Sequence, residues 1–185
     1  MGTRARPSLN LPPPDVILPQ LFPRLSVPGC YQVESKPTWD YNCVAWAAEK
    51  TDDWWWPDPD SYWPGDVARQ ATVAVFVEVF SRFGYEPCNS FDLDPRYEKV
   101  AIYVDQNGLP THMARQRSNG EWWSKLGPLW DIFHQALDGL DGPHPAYGSA
   151  MQALRRRIRR RWSARLQSLA TSLARLVSWL LGRSP

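Results

Sequence analysis

No run of about 18 consecutive apolar residues occurs anywhere in the chain, which excludes an ordinary membrane-spanning helix. The first residues also lack a continuous apolar core. Pro7, Pro12, Pro13, Pro14 and Pro19 interrupt them, so they do not read as a secretory signal. Cysteine is scarce and odd in number: Cys30, Cys43 and Cys88 form no close pair and no metal-type spacing. That excludes a disulfide framework and points to reduced thiols in a cytoplasmic setting. The three histidines, His112, His134 and His144, do not combine with Cys43 into the three or four convergent ligands a zinc site needs. Neither a metal nor another cofactor is therefore expected. Glycine and proline show no period, and no internal repeat is found.

Acid is missing from one end. Nine arginines and no carboxylate lie from Arg155 onward, leaving twelve of the 21 basic residues and all 19 acidic ones in the body. The net charge of +2 thus hides an acidic globule with a cationic tail. What the chain has in excess is tryptophan, eleven residues, beside 18 prolines. Aromatic side chains bury large areas, so 185 residues suffice for one domain with a substantial core plus extensions.

In order, residues 1–20 read as a disordered, Pro-rich extension, because proline lacks a backbone donor. Tyr31–Ser35 is a short strand. Residues 42–49 are an apolar helix, followed by an aromatic loop that prolines keep irregular, containing Trp54, Trp55, Trp56 and Trp63. Those four tryptophans either plug the core or wall a substrate groove. Residues 66–83 predict a helix capped by Asp66 and stopped by Gly84. Three strands follow, 99–104, 111–116 and 121–126, separated by Asn107-Gly108 and Asn119-Gly120, turn pairs that demand positive φ. This is a β-meander. Residues 128–137 read as a helix with Pro128 in its first turn. The last segment, 149–185, repeats leucine and tryptophan every three or four positions and predicts a cationic amphipathic helix. The domain proper spans 21–148, and its class is α+β.

Chemistry centres on Tyr41-Asn42-Cys43-Val44-Ala45-Trp46-Ala47-Ala48. Cys43 falls in the first turn of the helix, where free N–H groups and the dipole favour a thiolate, the nucleophilic form. A buried cysteine in an apolar helix is also an ordinary core residue. His112, on the middle strand of the meander, is the candidate base. Its orienting partner is Ser124 on the returning strand, with Gln116 and Asp105 as alternatives. Lys125 is a poor orienting group, since an ammonium only donates.

The order of these parts resembles the papain-like superfamily, including NlpC-type peptidases and amidases: a cysteine at a buried helix start, a histidine in a hairpin, a polar residue on the next strand. Thr111-His112-Met113-Ala114 and Gly120 to Gly127 look like its histidine strand and the strand after it. More closely, the chain resembles an uncharacterised bacterial domain family over about residues 21–155. That likeness rests on the Asn42-Cys43 helix, the Trp-Trp-Pro-Asp loop, the histidine strand, Ser124-Lys125-Leu126-Gly127, His134 and Tyr147-Gly148. The resemblance implies a papain-like core in which the Cys-bearing helix packs on the small antiparallel meander. It implies Cys43 as nucleophile and His112 as general base, with the Cys43 N–H and the Asn42 side chain stabilising an oxyanion.

The expected function is a cysteine hydrolase, peptidase- or amidase-like, acting on a peptide, amide or isopeptide bond. The alternative is an inactive papain-like binding or regulatory module. In either case residues 155–181 would carry the protein to an anionic membrane surface or a protein partner, at the membrane periphery of the cytoplasm. Nucleic acid is not an expected partner, because the body offers no basic groove.

Overall fold

A computed structural model describes residues 11–158. Its centre is a seven-stranded sheet, antiparallel throughout: β1 (Tyr31–Val33), β2 (Glu86–Cys88), β3 (Tyr97–Val104), β4 (Pro110–Gln116), β5 (Trp122–Lys125), β6 (Asp131–His134) and β7 (Ser149–Arg157). The strands lie in the order β1-β6-β5-β4-β3-β7-β2. Among the described residues three α-helices accompany them, α1 (Pro14–Leu21), α2 (Cys43–Ala47) and α3 (Val73–Ser81), with short 3-10 helices at Pro23–Ser26 and Leu137–Leu140.

Alternation along β3 shows how the sheet divides the core. Val100 and Ile102 pack into one cluster with Val44, Trp55, Trp63, Phe76, Phe80 and Met113, beneath α2 and α3. Ala101 and Tyr103 pack into the other with Leu18, Phe22, Leu25, Ala114, Trp122 and Ile132, beneath α1. A strand buried on both faces reads as one apolar run, as this one does. The meander of β3, β4 and β5 turns at Gly108 (φ 78°) and Gly120 (φ 92°), the two positions where the Asn-Gly pairs required positive φ.

The expected α+β papain-like core is not what the chain forms. The fold is β-rich, a seven-stranded antiparallel sheet with few helical residues. Two segments read as helix are strands, and this accounts for the difference. Residues 128–137 hold β6, whose Asp131, Ile132, Phe133 and His134 are all buried. Pro128 sits instead in a tight turn, where Leu126 N–H donates to Trp130 O over 3.0 Å and Gly127 has φ 57°. The start of the predicted terminal helix is β7, inserted between β3 and β2. The 149 boundary therefore does not end the domain, because β7 is an interior strand. Pairing between distant segments overrode the local three-and-four spacing in both places. The rest of the predicted amphipathic helix, from residue 159, lies outside the described residues.

Two smaller corrections concern helix bounds. Residues within the predicted disordered stretch form α1, which starts on a proline at its first position and buries Leu18 completely. Helix α3 starts later than expected because Thr72, not Asp66, caps it, its hydroxyl accepting from Val75 N–H at 3.3 Å. Asp66 pairs with Arg82 instead.

Candidate functional site

The sheet presents two polar groupings, one on each face of β4 and β5. On the α1 face, His112 (β4), Ser124 (β5) and His134 (β6) form a buried hydrogen-bonded chain. His112 Nε2 stands 3.0 Å from Ser124 Oγ, and Ser124 Oγ stands 2.9 Å from His134 Nε2. His134 Nδ1 lies 2.8 Å from the carbonyl of Ala136. Register explains the assembly: Ser124 pairs with Ala114 and Ile132, placing it diagonal to both histidines on one face.

The chain of bonds fixes where the protons are. A carbonyl only accepts, so His134 carries its proton on Nδ1. Burial pushes His134 down to about 4, so near neutrality its Nε2 is a bare lone pair. Ser124 O–H donates to it. Ser124 Oγ then accepts from His112, whose proton must sit on Nε2. Burial, aided by the nearby His134, holds His112 well below the usual histidine range, so it too is neutral. Its Nδ1 is left unprotonated and buried, with no hydrogen-bond partner.

On the other face, Asn42 N-caps α2. Its Oδ1 accepts from Ala45 N–H (3.1 Å) and Trp55 N–H (3.2 Å), and its Nδ2 donates to Trp55 O (2.7 Å). The amide proposed as an oxyanion donor is thus committed to the cap and to the tryptophan loop. Cys43 follows, 5% exposed. The sequence predicts an acidified thiol, but burial pushes it up to about 11. The amides of Met113, Val44 and Cys43 itself, and the Lys125 ammonium, oppose that rise without cancelling it. Lys125 is fully buried, contacting Leu129 O and standing 3.9 Å from Asp131 Oδ1. The Tyr41 ring lies 5.1 Å from its Nζ, and Tyr41 O–H donates to Asp131 Oδ2 at 2.7 Å.

Cys43 packs in the core cluster beneath α2 with Met113, whereas His112 faces the α1 side of β4 with Ser124 and Tyr147. Met113, whose amide acts on the thiol, is the residue after His112. Tyr147 stacks on the His112 ring with centroids 4.1 Å apart and planes 2° from parallel, and it lies close enough to Cys43 to respond to its charge. No hydrogen bond joins the thiol to the imidazole.

The other sequence candidates fall elsewhere. Trp55 and Trp63 are core residues, and Trp56 packs edge-on against Phe76. Trp54 is half-buried against Trp39, ring centroids 5.5 Å apart. Within the tryptophan loop, Trp55 and Trp63 plug the core beneath α2, and Trp54 and Trp56 are half-buried. Gln116 donates to Phe91 O, and Asp105 accepts from the Asn107 and Leu109 amides of the β3–β4 turn, so neither orients His112. Sequence reasoning missed His134 and Tyr147 as neighbours of His112. Reading residues 131–134 as a strand after the Gly127-Pro128 turn would have brought His134 beside Ser124.

Among the described residues, no three His, Cys, Asp or Glu side chains are placed to hold a metal ion. None of their helices is long and apolar enough to cross a membrane. Of the tail arginines, Arg155 pairs with Glu86 at 2.8 Å and Arg156 with Glu98 and, at 3.2 Å, with Glu49, so these cations meet carboxylates of the body.

A family model described as a domain of unknown function (DUF7689) matches residues 32–155. No curated protein and no solved structure matches the chain. These comparisons give no support to a papain-like or NlpC-type relationship.

Proposed function

The chain belongs to this family, a domain of unknown function, and we propose that it is a cysteine hydrolase in which Cys43 attacks a carbonyl and His112 takes the thiol proton. The observation that carries this reading is the bare Nδ1 of His112. The Ser124–His134–Ala136 chain fixes the imidazole in the tautomer whose lone pair is on Nδ1, and the next residue, Met113, supplies an amide to the thiol.

Thiol and imidazole are both neutral at rest, because burial opposes charge on each. Proton transfer must then accompany attack rather than precede it. As the S–C bond forms, the carbonyl π pair moves to oxygen and, in this reading, the thiol proton must travel around β4 to reach His112 Nδ1, since the two side chains face opposite sides of that strand. Collapse expels the leaving amine, which takes that proton. Water then adds to the thioester, giving one proton to the imidazole and returning it to sulfur as the acid departs. Amide, peptide and isopeptide bonds all satisfy this chemistry, and no cofactor enters it.

A second reading is favoured by one observation, the seclusion of a thiol pushed up to about 11. In it, the chain is a binding module and the histidine network only braces the sheet. Iodoacetamide labelling at neutral pH separates the two. Cys30 and Cys88 are more exposed than Cys43, so exposure alone predicts that they react first. The hydrolase reading expects Cys43 to react fastest, and that preference to vanish in His112→Asn with the fold retained by circular dichroism. Labelling that follows exposure in wild type refutes it and leaves the binding module.

A further inference from the structure

The loop that joins β2 to β3 bounds a cavity of about 530 Å³, whose other walls are Cys88 of β2, Lys99 of β3 and Arg155 of β7. Register puts the cations there. Lys99 pairs with Arg155, and Arg155 with Glu86, so the three side chains form one row across β3, β7 and β2. The row shares the sheet face of Ala101, two residues on from Lys99, which is the α1 side. Lys99 is 6% exposed. Its Nζ donates to Ser90 O at 2.8 Å and to Asp92 O, both neutral carbonyls of the loop. An ammonium has three N–H donors, so one is left over. The neighbouring acids do not pair with it: Asp94 pairs with Arg96 at 2.7 Å, Glu86 with Arg155 at 2.8 Å, and Asp92 accepts from Ser90 Oγ at 2.8 Å. Buried charges are ordinarily paired, because neutral acceptors alone do not offset the loss of water. Among the described residues Lys99 is a buried cation with a spare donor and no ion-pair partner, at the wall of a cavity.

We propose that this cavity binds a small monocarboxylate, with one carboxylate oxygen on Lys99 Nζ. Arg155 serves the other oxygen. Its Nε is committed to Glu86 Oε1, while its terminal N–H groups bond to no group among the described residues. Charge-assisted bonds of this kind are the strong ones. The site has one uncompensated positive charge, which a single negative charge satisfies. The carboxylates of Asp92 and Asp94 line the same cavity and disfavour a second one. They select a monoanion over a phosphate dianion. The site shares no residue with the chemistry proposed for Cys43 and His112, and either can fail without the other.

Acetate is the probe, titrated into the nitrogen-15-labelled full chain at pH 7.5, with sodium chloride at equal ionic strength as the control. Acetate should move the amide signals of Ser90, Asp92 and Lys99 saturably, and chloride should not. Inorganic phosphate, mainly a dianion at that pH, should bind more weakly than acetate. Lys99→Met, checked for folding by circular dichroism, should abolish the acetate response. Asn89 is exposed and lines the cavity, and Asn89→Asp leaves every bond named above in place. The added charge should weaken acetate by about threefold, the scale of an exposed charge pair. Four results overturn the inference: no saturable acetate shift, the same shifts with chloride, acetate binding retained in folded Lys99→Met, or phosphate binding more tightly than acetate. Should Lys99→Met fail to fold, Asn89→Asp decides, because an unchanged acetate affinity there also overturns it.

Discussion

Acidification should unfold this protein through its buried histidines before its carboxylates titrate. His134 is shifted from 6.5 to about 4 by burial, so across that interval the unfolded chain binds a proton that the folded chain refuses. The unfolded state then holds more protons, and stability rises with pH and is lost as pH falls. A shift of that size is worth about 3 kcal/mol at 1.36 kcal/mol per unit, a large part of the 5–15 kcal/mol typical of a domain. His112, also held down by burial, adds in the same direction. Asp66, Asp94 and Asp105 are shifted below 3.8, so their contribution is lost in a separate window at lower pH. Urea unfolding followed by tryptophan fluorescence from pH 7.5 to 4.5 reads the effect. Wild type should lose several kcal/mol over that range. His134→Gln should start less stable and show a visibly shallower slope. A variant that keeps the wild-type slope between pH 6.5 and 4.5 refutes the assignment of the buried neutral pair.

Three further outcomes follow from the same coordinates. Cys43, raised from 9.0 to about 11, keeps its proton in the folded state while the unfolded thiol loses it. Stability should fall by about 3 kcal/mol between those pH values, and Cys43→Ala should remove that part of the alkaline decline in urea titrations. Asn42→Ala deletes the α2 cap and both bonds to Trp55, and should cost about 3 kcal/mol; an unchanged melting temperature would contradict the pinning role. Gly148→Ala would set a Cβ 1.8 Å from Val104 O at φ 79° and should fail to fold, whereas Gly65→Ala, with nothing within 4 Å, should melt as wild type does.

The meander was legible because two Asn-Gly pairs bracket strands of fixed period, and local chemistry alone decides such turns. The position of Cys43 in the first turn of a helix was legible for the same reason. Residues 131–134 and 149–157 were not, because their strand state comes from partners far along the chain: β6 pairs with β1 across about a hundred residues, and β7 with β2 and β3. Misreading β6 hid His134, and with it the bond chain that sets the His112 tautomer. The acidity expected of Cys43 failed on magnitude. A five-residue helix and a few amides do not outweigh the loss of solvent around a thiol 5% exposed. The tryptophans were ambiguous because an aromatic loop and a core plug have the same composition, and only Trp55 and Trp63 packing beneath α2 separates them.

Histidine ring protonation is the most direct test of the account. Long-range proton–nitrogen correlation spectra of uniformly nitrogen-15-labelled protein at pH 7 distinguish Nδ1-protonated, Nε2-protonated and charged rings. His112 should be neutral with its proton on Nε2, and His134 neutral with its proton on Nδ1, opposite tautomers joined through Ser124. A charged ring at either position, or an Nδ1-protonated His112, would contradict the lone pair on which the chemistry proposed for Cys43 depends.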